Sequence, residues 1–390
     1  AKKINTFRIG VLDGYSFSQG SESTDVTINE AGAAPNRGSK RFNDSLPPAE
    51  WSFGTYVRPF KHGTNSWRQS GDMDMVENIL WASISGKDIT DGSLTGTSAP
   101  SVTVDSTDAD VTFERSEHHE LLKLSIFFAL ENTTYRLNEA QVNQCEIDFS
   151  IDGIAQLTWS GNATTIDQVS TAIEDPSKTL HAKPSGTDVS VTTATYVEGY
   201  NYADCTGPDD ADYLRNKLST LTLVAAAQGG GATSGGLDAR TYDINITGGS
   251  ITIANNVTYV TPETLGIIDK PIGSFTGSRQ ITGNLTCYLD TKSNGSNQLL
   301  TDLAGATDLV TNVFDMSLFM GGASSAVPVV EFDIPKAHMT VPTIETGDLI
   351  STSVEFAAHG TDLLTGDEMT VKYKGLTSHS DSQYATDYTV

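Results

Sequence analysis

The tract Gln228-Gly229-Gly230-Gly231-Ala232-Thr233-Ser234-Gly235-Gly236 is the first candidate for chemistry, because glycine-rich loops let backbone N–H groups close on a phosphate. No Gly-Lys-Ser/Thr ending follows it, and no spaced glycine pattern opens a helix there, so a flexible loop tip is expected instead. His118 and His119 stand beside Glu117 and Glu120, just before an alternating segment. Neighbouring residues of a strand point to opposite faces, so this pair is poorly placed to share a metal. Asp72 and Asp74 precede a helical pattern, where the first-turn dipole accounts for acidic residues. The oxygen ladder and closing Glu of a calcium loop are missing. Cys145, Cys205 and Cys287 are isolated, without metal-type pairing and too few for a disulfide framework. Serines lie in polar turns without a nucleophile elbow. No catalytic, cofactor-binding or metal residues are therefore assigned, and an enzyme is not expected.

The elements that would position any function are mostly strands. Thr, Val, Ile and aromatics alternate between Gly, Asn and Asp turns over most of the 390 residues. Two stretches have helical spacing. One runs through Met75, Val76, Ile79, Leu80 and Ile84, behind Ser70 and before Gly86; the other runs through Leu299, Leu300 and Leu303, between Ser296 and Gly305. Each helix follows an alternating strand, at 49–57 and 279–287. Each precedes further alternating segments, at 122–128, 140–147 and 157–159 in one half, and at 314–320, 337–344 and 354–356 in the other. The shared order reads as a tandem duplication. The expected organisation is a first module over 1–162 with a long loop at 87–111, a polar connector over 163–211, and a second module over 212–390. Leu218–Val224 would open the second copy as Phe7–Leu12 opens the first. Trp51, Phe53 and Trp159 alternate as core residues do.

Charge narrows the partners. Asp and Glu number 49 against 24 Lys and Arg, a net −25 that opposes adhesion to nucleic acid or to an anionic membrane. No apolar run nears the ~18–20 residues of a membrane span, and the first residues lack the apolar core of a secretory signal. Against this background Arg37, Lys40 and Arg41 fall within five residues. Gly32, Pro35 and Gly38 are expected to keep that stretch extended and irregular. It reads either as a solvated turn or as an inter-subunit latch onto the acidic body of another copy. In the latch, arginines would hold carboxylates and Phe42 and Leu46 would anchor the contact.

The same segment carries a resemblance. Asn29-Glu30-Ala31-Gly32, Pro35, the run 37–46 and Ala49-Glu50-Trp51-Ser52-Phe53 resemble the tail tube protein of long-tailed, non-contractile phages of the T-five type. Further matches fall at 142–144, 158–162, 242–259, 271–277, 342–346 and 352–356, whereas 163–212 has no recognised match. No immunoglobulin-like decoration is expected after Tyr373. The resemblance implies two fused tail-tube β-sandwich or barrel modules, each flanked by one helix. Three chains would close as pseudo-sixfold rings that stack head to tail into a tube, with the Arg37–Arg41 arm and its anchors Phe42 and Leu46 reaching the neighbouring ring.

It further implies that the chain is a virion component assembled in the host cytoplasm, with no cofactor and no membrane contact. Its partners would be other copies, the tape measure protein and viral DNA in the lumen, and the tail terminator and distal tail proteins at the ends. Three chains at −25 each would give a ring −75, and an acidic bore would let DNA slide during ejection. Candidate wall residues are Glu146, Asp148, Asp152, Glu345, Asp348 and Glu355, the alternative being a solvated outer face. Two other functions compete. The tube of a contractile or secretion apparatus would ordinarily lack the fusion, and a monomeric β-sandwich adhesin would need clustered exposed aromatics.

Overall fold

A computed structural model describes residues 9–27, 38–62, 71–86, 102–113, 121–130, 133–169, 213–262, 270–307, 309, 312–322, 328–341, 343–345, 351–363, 365–375 and 378–379. The first half holds β1 (Ser16–Ser18), β2 (Glu22–Thr27), β3 (Ser39–Ser45), β4 (Ala49–Tyr56), β5 (Pro59–His62), β6 (Met73–Met75) and α1 (Asn78–Ser85). It continues through β7 (Val102–Val104), β8 (Ala109–Thr112), β9 (Leu124–Leu130), β10 (Thr133–Asp148), β11 (Gln156–Ala163) and β12 (Thr165–Val169). The second half has β13 (Thr220–Ala225), β14 (Arg240–Tyr242), β15 (Ile246–Ala254), β16 (Val257–Val260), β17 (Gly273–Thr276), β18 (Gln280–Tyr288) and α2 (Ser296–Gly305). It ends with β19 (Phe314–Met320), β20 (Val329–Met339), β21 (Thr343–Glu345), β22 (Ser351–Ala358), β23 (Thr370–Lys374) and β24 (Ser378–His379). The fold is mainly β, and its sheets are almost wholly antiparallel.

Strand order recurs. In the first half β1 pairs β4, β4 pairs β11, β11 pairs β10, and β9 and β12 both pair the early part of β10. In the second half β15 pairs β18, β18 pairs β22, β22 pairs β20, and β19 and β23 both pair β20. A register shift recurs too. Leu137 faces Ile126 and Ala140 faces Leu124, as Ile334 faces Met316 and Ala337 faces Phe314. Glu139 sits at the first shift with φ 48°; Pro335, which has no N–H to offer a ladder, sits at the second.

One glycine in each half faces an aromatic ring across the sheet. Gly161 lies opposite Trp51 and Gly283 opposite Phe356. A Cβ on Gly161 would stand 2.0 Å from the Gln141 carbonyl oxygen and 2.8 Å from the Trp51 ring. One on Gly283 would stand 2.5 Å from the Phe356 ring. Here glycine is required by close approach, since the ring fills the space that a side chain would need.

The two helices differ in how far their periodicity was honoured. α2 spans the expected residues, with Leu299 and Leu303 buried. The Ser296 hydroxyl ties its start down by donating to the Tyr288 carbonyl at 2.8 Å and accepting the Asp290 N–H. α1 begins only at Asn78, so Met75 and Val76 are core residues outside the helix, and Ser70 is outside the described residues. Met73–Met75 pairs with β5 instead. Asp74, fully buried, accepts the Met75 N–H and the Asn78 amide and so holds the turn between strand and helix. Gly86, at φ 117°, ends the helix in the left-handed region.

β23 crosses between the halves, pairing β20 on one side and β8 on the other. From it Tyr373 reaches α1, accepting the Trp81 indole N–H at 2.8 Å and donating to Glu77 Oε1 at 3.0 Å. All three are buried, and burial pushes the Glu77 carboxyl up to about 8. Trp51, Phe53 and Trp159 are core, as expected, whereas Trp67 lies outside the described residues. The glycine tract at 228–236 is no loose tip. Gln228 pairs with Leu237 across it, the Gly236 N–H reaches the Gly231 carbonyl, and positive φ at Gly229, Gly230, Gly231 and Gly235 shapes the turn. Thr165–Val169, at the start of the polar connector, is strand and pairs with β10. His118 and His119 lie outside the described residues.

Candidate assembly interface

β10 pairs β15, which joins the halves into one sheet in the order β1, β4, β11, β10, β15, β18, β22, β21. Alternation gives it two unlike faces. One row of its inner face reads Thr55, Leu157, Ile147, Ile251, Gly283, Phe356, all in register and packed into the core. The facing rows are polar. One runs Tyr56, Gln156, Asp148, Ser250, Asn284, Glu355, and its neighbour runs Gly54, Thr158, Glu146, Thr252, Thr282, Ala357. Glu50 shares that face, opposite Asn162. Where these strands run in register, along 50–56, 144–148, 156–162, 250–254, 280–286 and 353–357, the charges on the polar face are the exposed carboxylates Glu50, Glu146, Asp148 and Glu355; Arg136, on the early part of β10 beyond the register shift, is paired with Asp167.

Expected wall residues thus separate. Glu146, Asp148 and Glu355 share one sheet face, and Asp152 is exposed in the turn between β10 and β11. Glu345 stands opposite Ser351 in register; Asp348 lies outside the described residues. Glu50 was not singled out from sequence, although its alternation with Ala49, Trp51 and Phe53, all buried, carried the signal.

The basic segment builds a different feature. Ser39–Ser45 is regular strand, not the irregular stretch expected, and with β2 forms a two-stranded hairpin whose side chains are almost all exposed. Arg41 donates to Asp25 through Nε at 2.7 Å and Nη2 at 2.9 Å. The ion pair holds the Asp25 carboxyl below its usual range and raises Arg41. At such exposure the pair adds little stability; its geometry instead presets the fork. Lys40 lies 5.0 Å from the centre of the Phe42 ring on the other face, where Val26 is also exposed. Leu46 is half-buried at the hairpin base, and Arg37 lies outside the described residues. Among the described residues the long sheet ends in β1 and β21 with no further strand paired to their outer edges, and such edges, like the exposed two-stranded arm, are surfaces for other chains.

Comparison with known proteins agrees. A family model described as phage tail tube protein matches residues 65–358. The tail tube protein pb6 of Escherichia phage T5 is 37% identical over 368 residues, which cover 94% of this chain and 70% of that protein. The chain belongs to the phage tail tube protein family. It is a structural component of the phage tail tube and so of the virion, not an enzyme. Among its described residues no helix is long and apolar enough to cross a membrane.

Proposed function

We propose that this tail tube protein consists of two tandem modules, 1–162 and 212–390 joined by the connector 163–211, and that three copies close a ring around a channel for viral DNA. The recurring strand order and register shift support the duplication. Within one chain, β10 of the first half is covered by β15 of the second. The corresponding edges are β21 and β1, at opposite ends of the long sheet, and pairing β21 of one copy with β1 of the next repeats the internal junction. Three sheets of eight strands give 24 strands, beyond the roughly 16–18 at which a barrel already holds an aqueous channel.

The observation that carries the DNA reading is the in-register stretch of the polar face, where the charges among the described residues are carboxylates. Turned inward, Glu50, Glu146, Asp148 and Glu355 repel phosphate and offer no adhesive cation, so DNA slides. Stacked rings make an open heterologous filament, in which the tape measure protein occupies the lumen and terminator and distal tail proteins cap the ends. The proposed latch, Arg37, Lys40, Arg41, Phe42 and Leu46, joins copies. Negative-stain microscopy of the purified protein tests the reading. Stacked hollow rings are expected; discrete monomers at every concentration contradict it.

A further inference from the structure

The second half contains its own version of the exposed arm, and that one is already seated. β16–β17 lies between β15 and β18 as β2–β3 lies between β1 and β4. The registers match: Thr258 faces Phe275 with Val260 two residues on, and Thr24 faces Phe42 with Val26 two residues on. In both arms those residues form the open face, with Val26 and Phe42 each 47% exposed, Val260 43% and Phe275 48%.

The opposite face of β16–β17 docks on the first half. Tyr259 donates its hydroxyl to the carbonyls of Glu139 at 2.8 Å and Asn162 at 2.9 Å. Ser274 bonds the Gln141 side chain, and the Val257 N–H reaches Asn143 Oδ1 at 2.8 Å. The seat is the late part of the β10 register shift, and under the arm Gln141 is 1% exposed.

Both partners of a second such contact exist on the chain, and among the described residues no hydrogen bond joins them. In β2–β3 the positions of Tyr259 and Ser274 are held by Asp25 and Arg41. The shared register shift matches Glu139 with Lys336, Gln141 with His338 and Asn143 with Thr340. At this second seat Lys336 and His338 are half-buried, the His338 ring bonding the Asn312 backbone and the Thr340 hydroxyl donating to the Glu355 carbonyl, while Thr340 and Val341, the latter 58% exposed, face outward. The arm belongs to the β1 end of the long sheet and the seat to the β21 end, so the two meet only between copies.

Resting on the ring reading above, we propose that the Asp25–Arg41 face of β2–β3 docks on the Lys336–Val341 stretch of the adjacent copy in the same ring. The internal template brings the Tyr259 hydroxyl to the Glu139 backbone carbonyl; the matching positions between copies are Asp25 and Lys336, whose side chains are an acid and a base. Asp25 then bridges Arg41 and Lys336.

A cysteine pair tests this. Asp25→Cys and Lys336→Cys are combined with Cys205→Ser, since Cys145 and Cys287 are buried, and assembled tubes are cross-linked with a short bis-maleimide. An in-ring contact closes on itself, so the denatured ladder stops at three chains. A ladder running past three places the contact between rings and overturns the proposal. Tubes without cross-links overturn it too while leaving the tube standing, and failure of the wild-type chain to form rings removes both. Independently, Asp25→Lys or Lys336→Glu alone should cause loss of assembly and the two together should restore it; singles that assemble normally contradict the pairing.

Discussion

Glu77→Gln should change how stability responds to pH more than it changes stability itself. Glu77 is fully buried ahead of α1, and its carboxyl is pushed up to about 8, chiefly by burial. Tyr373, which donates to it, and nearby Arg58 oppose the rise, while Asp74 adds to it. Its folded pKa is raised, so the folded protein keeps a proton that the unfolded chain releases near 4.5, the ordinary value of a glutamate. Stability is therefore fully present below that value and lost as pH rises towards 8. Asp110, raised to about 6 by partial burial, slopes the same way at lower pH. From pH 6 to 8 the loss belongs to Glu77. Two pH units at about 1.4 kcal/mol each give roughly 3 kcal/mol. The amide keeps an acceptor for Tyr373 and has no proton to lose. Urea unfolding at pH 6, 7 and 8 should show the wild type losing most of that amount and the variant nearly none. Parallel slopes for the two proteins would refute the reasoning.

Gly161→Ala should cost roughly 3 kcal/mol or more, because its Cβ meets backbone as well as the Trp51 ring. Gly273→Ala, with nothing within 4 Å, should leave the melting temperature unchanged and serves as the control. Reversing charge at Arg37, Lys40 and Arg41 should leave the chain folded by circular dichroism but unable to polymerise, and wild-type tube length in that variant counts against the latch. Changing Glu50, Glu146, Asp148 and Glu355 to their amides should slow DNA passage, an unchanged ejection rate removing them from the wall.

Local alternation carried much of the fold in readable form. Trp51, Phe53 and Trp159 were placed in the core because period two leaves no other face for them, and α2 announced itself through Leu299, Leu303 and a serine at its start. α1 did not. Met75 and Val76 fit a helical period but are buried by a short strand, and Asp74 turns the chain before the helix begins. In a helix buried on nearly every side, spacing marks no boundary. The glycine tract misled for a related reason. Composition reports freedom of φ, whereas the Gln228–Leu237 bridge that orders the loop is a pairing across it. The polar face lay half hidden. Glu146, Asp148 and Glu355 could be named one by one, but their common face depends on β10 meeting β15, a long-range register that no local pattern contains. The basic cluster was visible, while its partner Asp25 became one only when β2 folded against β3.

A cryo-electron microscopy cross-section of the assembled tube bears most directly on the claim that one chain does the work of two modules. Three chains per ring should appear, with β1 of each copy beside β21 of the next and Glu50, Glu146, Asp148 and Glu355 lining the bore. Six chains per ring, or a bore lined by any other surface, would contradict it.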